Sequence, residues 1–198
     1  MQTVTTIGLD IAKSVFQVHG IDAAGQVVIR RQLKRRYVLA FFQKLPPCLI
    51  GIEACASSHH WSRELQALGH TVRLMPPAYV KPYVKRQKND ATDAEAICEA
   101  VTRANMRFVV TKTPEQQSGL VLHRARHLFI RQQTAVINAI RAHLAEFGII
   151  APVGRHGVEE LLNVVADPND KRVPEIARAC LLAFGAQLRS LKEQILEF

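Results

Sequence analysis

Two stretches decide the fold: Thr3-Val4-Thr5-Thr6-Ile7-Gly8-Leu9-Asp10 and Cys48-Leu49-Ile50-Gly51-Ile52-Glu53. Each is an apolar run of strand length that ends on a carboxylate. Side chains alternate along a strand, so Gly8 shares a face with Asp10 and Gly51 shares one with Glu53. Ile7 and Leu9, like Ile50 and Ile52, occupy the opposite face. The glycines are expected to leave room beside the acids for phosphate or metal. A third acidic stretch, Asn89-Asp90-Ala91-Thr92-Asp93-Ala94-Glu95, reads as the start of a helix.

Outward from these words the pattern is an α/β plan. Strands are expected at Thr3–Asp10, Ser14–His19 and Gln26–Leu33, with connections short enough for an antiparallel meander. A basic amphipathic helix over Lys34–Leu45 stops at Pro46-Pro47. The nearly continuous apolar run at Cys48–Glu53 suits a central strand. Ser57 or Ser58 is expected to cap a helix over His59–Leu68. Thr71–Met75 is a fifth strand, followed by a short helix near Ala78–Val84 and another from Asp90 to about Ala104. The order βββαβαβα is that of a ribonuclease-H-like mixed five-stranded sheet, in which strands one and four are neighbours.

From Pro114 the pattern is wholly helical. A long helix runs to Phe147 and stops at Gly148, a short one covers Val158–Val165, and a last one starts near Pro174. Ala177, Leu181, Phe184, Leu188, Leu191 and Ile195 alternate four and three apart, a heptad seam. The reading is two domains, 1–112 and a helical coiled-coil region at 113–198. The last helix meets no stop signal before Phe198, so a longer protein is expected.

Net charge is +9 and the pI about 9.8. Residues 1–112 hold 16 Lys/Arg against 8 Asp/Glu; the remainder is nearly balanced. A polyanionic partner is implied, nucleic acid ahead of membrane. Cys48, Cys55, Cys98 and Cys180 show no zinc-ligand or disulfide spacing and read as buried thiols. No leader or bilayer-length apolar run is present, so a cytoplasmic protein without membrane contact is expected.

If strands one and four are neighbours, Asp10 and Glu53 meet at one end of the sheet. Asp90 and Asp93, three apart, project from one helix face. Hard oxygen donors of this kind suit Mg²⁺ or Mn²⁺. Two such ions would clamp an in-line phosphoryl displacement. Each acid also has an ordinary explanation: a strand end for Asp10 and Glu53, a helix N-cap for Asp90, a first-turn acid for Asp93. Lys13, Lys81, Lys85, Arg86 and Lys88 are candidate phosphate contacts around the acids, with Tyr79 and Tyr83 interleaved. Arg30, Arg31, Lys34, Arg35 and Arg36 form a second basic cluster for RNA or DNA.

Ile7-Gly8-Leu9-Asp10-Ile11-Ala12-Lys13, Glu53-Ala54-Cys55, Val80-Lys81-Pro82-Tyr83 and Lys88-Asn89-Asp90-Ala91-Thr92-Asp93-Ala94 closely resemble the DEDD transposases of bacterial insertion sequences, relatives of Piv-type DNA invertases. The stretch from Leu122-His123-Arg124-Ala125-Arg126 to Ala145-Glu146-Phe147-Gly148 is similar to that family's helical region. The resemblance implies a RuvC-like domain whose D-E-D-D metal site falls on Asp10, Glu53, Asp90 and Asp93. It also implies a coiled-coil insert for assembly as a homodimer or higher oligomer. Beyond that it implies a C-terminal domain with a nucleophilic serine, and DNA recombination guided by a structured RNA. No serine after residue 113 sits in a nucleophile context; Ser118 and Ser190 fall in helical patterns. Three readings stay open: the metal- and nucleic-acid-binding part of a transposase, a non-catalytic RNA/DNA-binding and dimerisation module, and a stand-alone nuclease of the Holliday-junction-resolvase kind.

Overall fold

The structure is a computed structural model that describes residues 3–84 and 90–198, with the backbone alone for Asp90, Ala91 and Arg155. It divides into two compact units, Met1–Pro114 and Glu115–Phe198.

The first unit is built on a five-stranded mixed sheet in the order β3-β2-β1-β4-β5. The strands are β1 Thr6–Ile11, β2 Val15–Ile21, β3 Val27–Lys34, β4 Leu49–Glu53 and β5 Thr71–Met75. β1, β2 and β3 form an antiparallel meander, while β4 joins β1 in parallel and β5 joins β4 in parallel. Ile7, Leu9, Ile50 and Ile52 are wholly buried, as their shared face requires. They pack with Phe16, Phe42, Trp61 and Leu65 beneath α1 (Val38–Phe42) and α2 (Ser58–Ala67). Burying each such side chain contributes about 1.5–3 kcal/mol.

The glycine face of β1 and β4 is occupied otherwise than the sequence suggests. A Cβ on Gly8 would lie inside van der Waals contact of the Ala94 carbonyl oxygen and the Cys98 amide nitrogen. One on Gly51 would stand 2.8 Å from Val101 Cβ. The room left by the glycines is therefore filled by helix α4 (Asp90–Val101), not by phosphate or metal. Gly8 and Gly51 permit a helix backbone to lie directly on the sheet.

Other elements also depart from expectation. The basic segment after β3 is not one helix from Lys34. Lys34 stays extended and pairs with Val15, a 3₁₀ turn covers Arg35–Tyr37, and α1 is only five residues long. Ser57 occupies the α2 N-cap position at φ 67° without a capping side-chain bond, and Ser58 Oγ instead donates to the Cys55 carbonyl at 2.8 Å. Short helical turns at Pro77–Val80 (α3) and Lys81–Tyr83 follow β5. Cys48 and Cys98 are buried, and burial pushes both thiols up to about 11. Cys55 and Cys180 are exposed, contrary to the reading of four buried thiols.

The second unit contains α5 (from Pro114 to Ala145), α6 (Arg155–Ala166) and α7 (Glu175–Glu197). Its core joins Val136, Ile140 and Leu144 of α5 to Val158, Leu161 and Val165 of α6 and Leu181, Leu188 and Leu191 of α7. The heptad seam of α7 is thus largely consumed inside the unit. Val121, Leu122 and Leu128, on the earlier half of α5, are exposed. Among the described residues no helix is long and apolar enough to cross a membrane.

Candidate functional site

β1 and β4 pair in register with Gly8 beside Gly51 and Leu9 beside Ile52. The next residues along the two strands are Asp10 and Glu53, so these carboxylates stand at neighbouring strand ends, one strand spacing of about 4.8 Å apart at the backbone. Both are half-buried. By alternation both lie on the face that α4 covers. Their fields converge on Cys55: burial pushes its thiol up, and the charges of Glu53 and then Asp10 push it the same way.

α4 runs against the direction of β1. The Cys98 thiol reaches the Thr6 carbonyl at 3.8 Å, whereas Ala94 stands over Gly8. Moving from Thr6 toward Asp10 therefore moves toward the first turn of α4. Asp90 opens that helix and Asp93, half-buried, follows in its first turn. The strand acids and the helix acids thus belong to the same end of the unit, although the Asp90 side chain lies outside the described residues. Among the described residues no group of three or more His, Cys, Asp or Glu stands at metal-holding distance. The four acids of the sequence reading, Asp10, Glu53, Asp90 and Asp93, would offer hard carboxylate oxygens alone. That chemistry suits Mg²⁺ or Mn²⁺.

The basic candidates separate. Lys13 is exposed on the turn after β1, and Lys81 is exposed on the 3₁₀ turn after α3. Lys85, Arg86 and Lys88 lie outside the described residues. The run Arg30–Arg36 does not form one patch. Arg30 faces α4 and its Nη2 donates to Glu95 Oε2 at 3.3 Å. Arg31, on the opposite face of β3, stands over Phe41, 5.8 Å from the ring centroid. Arg35 covers Trp61 and Phe16 at 5.1 and 5.7 Å. Arg36 lies over Tyr37 at 4.7 Å. Lys34 is exposed at the end of β3.

Two features escape sequence reasoning. Lys44, eight residues beyond Arg36, joins Arg31 and Lys34 around one groove. The strip Val109–Lys112 is also fastened to the sheet and to α2. Val109 pairs with Leu74, and Ser62 Oγ meets Thr111 Oγ1 at 2.6 Å. Arg63 donates to the Lys112 carbonyl at 2.6 Å, and the Lys112 amide donates to His59 Nδ1 at 3.1 Å. His59 thereby serves structure, and burial together with the Lys112 charge lowers its pKa. The strip joins residues distant along the chain, and the groove depends on how the 3₁₀ turn and α1 fold back beside β3, so neither has a local sequence signal.

A family model described as Transposase, of the DEDD type, matches residues 7–149. The chain is 50% identical over 190 residues to a "Probable family 20 transposase" of Pseudomonas aeruginosa, covering 96% of this chain and 54% of that protein. It is 37% identical over 197 residues to the "Transposase for insertion sequence element IS1328" of Yersinia enterocolitica, covering 100% of this chain and 58% of that one. It is 40% identical over 179 residues to the "Transposase for insertion sequence element IS1111A" of Coxiella burnetii, covering 90% and 49%. The chain spans about half the length of the curated relatives it matches.

Proposed function

The chain belongs to the DEDD transposases of bacterial insertion sequences, and we propose from that premise that its first unit is the metal-dependent DNA-cleaving part of such an enzyme. The observation that carries the proposal is the in-register parallel pairing of β1 and β4, which sets Asp10 and Glu53 side by side with the opening turn of α4 at the same end. The strand order and the antiparallel β1-β2-β3 meander support a ribonuclease-H-like assignment for this unit.

In this reading Asp10 and Glu53 hold Mg²⁺ or Mn²⁺ from the sheet, and Asp90 and Asp93 complete the donor set from α4. When bound, the metal lowers the pKa of an attacking oxygen and neutralises charge on the phosphate. Gly8 and Gly51 act by position, because they let α4 approach closely enough to present its acids beside the strands. Lys13 and Lys81 draw phosphate toward that end.

The fuller reading is RNA-guided recombination of DNA, with a structured guide RNA bound by the basic first unit. The second unit serves homodimer or higher assembly; exposed Val121, Leu122 and Leu128 on α5 support a contact surface there. The measurement that tests the metal centre is Mn²⁺ binding by calorimetry together with Mg²⁺-dependent nicking of branched or insertion-end DNA. Asp10→Ala and Glu53→Ala are each expected to abolish nicking and weaken Mn²⁺ binding at least tenfold. Nicking that persists in both variants would overturn the assignment.

A second reading is a nucleic-acid-binding and dimerising module without cleavage. It draws on the excess of Lys and Arg over Asp and Glu in residues 1–112, which attracts a polyanion whether or not metal is held. It expects tight, salt-sensitive nucleic-acid binding that is indifferent to Mg²⁺.

A further inference from the structure

Edge strand β3 and helix α1 frame a groove of about 480 Å³. Arg31, Lys34 and Lys44 line it, with no carboxylate among the lining residues, and Tyr37 and Phe41 add aromatic rings. Tyr37 is 50% exposed, and the Arg36 guanidinium sits over it at 4.7 Å. The neighbouring basic side chains are engaged elsewhere: Arg30 by Glu95 on the other sheet face, and Arg35 by Trp61 and Phe16. What remains at the groove is Lys34 and Lys44, Arg31 against Phe41, and the half-exposed Tyr37 ring beside Arg36.

The groove also has a defined level on the sheet. Asp10 pairs with Gln17 across β1 and β2, and Gln17 pairs with Gln32 across β2 and β3. Gln32 lines the groove. Its backbone therefore stands two strand spacings, about 10 Å, from that of Asp10 in the same row.

We propose that this groove binds a single strand of nucleic acid, with phosphates on Arg31, Lys34 and Lys44 and an unpaired base stacked on Tyr37. The class of partner rests on the transposase reading; the location rests on the groove. A purely electrostatic polyanion site would need no ring. An exposed tyrosine among cations fits a base beside a phosphate, because every base has a π-face and stacking tolerates any sequence. A duplex keeps its bases stacked on one another and cannot offer one to the ring.

The test is fluorescence anisotropy of the full chain with labelled oligothymidylate and oligouridylate of about 16 nucleotides. EDTA is present throughout, so that metal binding plays no part, and salt concentration is varied. Replacing Arg31, Lys34 and Lys44 together by Ala is expected to reduce the slope of log K against log salt by about 2, since each phosphate contact on a single strand contributes about 0.7. Tyr37→Ala is expected to weaken binding about tenfold at fixed salt, and Tyr37→Phe to restore it. Stronger binding of oligouridylate assigns the groove to RNA, and stronger binding of oligothymidylate to DNA; either supports the proposal. Should the triple variant fail to fold, Lys44→Glu alone must still lower the slope. The proposal is overturned if slope and affinity stay unchanged in these variants. It is equally overturned if polyglutamate competes as well as the oligonucleotides while Tyr37→Ala has no effect, for then an acidic protein segment is the occupant. Because cleavage is not measured here, failure of the groove and failure of the metal centre are told apart.

Discussion

At the scale of single residues, Gly8 carries the constraint that bears on the sheet. Its missing side chain is what allows the Ala94 carbonyl and Cys98 amide to rest on β1. The obstacle to a larger residue is helix backbone, which cannot rotate away as a flexible side chain would. Overpacking at such a contact costs about 1–3 kcal/mol or more. Gly8→Ala is therefore expected to destabilise the first unit by at least about 2 kcal/mol, read as a lowered urea midpoint. If Asp90 and Asp93 hold metal as proposed, it should also reduce Mg²⁺-dependent nicking beyond what lost stability explains, because both lie on α4. A Gly8→Ala protein as stable as the parent would mean that α4 does not rest on β1 as described. The substitution separates position from chemistry, since it changes none of the four proposed donors.

At the scale of elements, the second unit shows how a single guanidinium can hold two helices. Arg178 of α7 donates through Nη1 to the carbonyls of Val164, Val165 and Asp167, at 3.2, 2.7 and 2.5 Å. Its Nη2 reaches Asp170 and Val173 carbonyls at 2.5 and 3.3 Å. These carbonyls include the end of α6, where unsatisfied acceptors and the helix dipole favour a cation. Arg178→Met keeps much of the packing and removes the donors. It is expected to cost about 2 kcal/mol or more, because hydrogen bonds to charged groups contribute about 1.5–3 kcal/mol. Hydrogen exchange at 164–173 would rise, and unchanged protection there would refute the role. No sequence pattern announced Arg178, as its partners are main-chain carbonyls at the end of α6 and in the loop after it. The sheet, by contrast, was legible. Short connections after β1 and β2 imposed the meander, and the matched apolar runs ending in Asp10 and Glu53 suggested neighbouring central strands. The glycines in those runs were visible but misassigned, because a missing Cβ makes room for a helix as readily as for a ligand. The basic run Arg30–Arg36 was legible as charge but not as geometry. Strand alternation sends Arg30 and Arg31 to opposite faces; Glu95, which meets Arg30, lies far along the chain, and Lys44 reaches Arg31 only through the fold of α1.

At the scale of the whole molecule, two units of different composition allow the proposed metal centre to be tested by a local probe. The chain contains one tryptophan, Trp61, which is buried in the core of the first unit against Phe16. Its fluorescence reports the unfolding of that unit, whereas far-UV circular dichroism weighs the long helices of the second. A ligand that binds only the folded state stabilises it by about 2.7 kcal/mol at a hundredfold excess over its dissociation constant. If Asp10, Glu53, Asp90 and Asp93 hold Mg²⁺, saturating Mg²⁺ raises the tryptophan-detected midpoint by several degrees and leaves the α5–α7 signal in place. Sodium chloride of equal ionic strength produces no such shift, because screening acts on exposed charges throughout the chain while chelation acts at one place. Asp10→Asn removes one hard anionic donor and with it most of the Mg²⁺-dependent shift. An equal shift in salt, or one that survives Asp10→Asn, would assign the effect to general screening of a basic protein and remove the acids from metal binding.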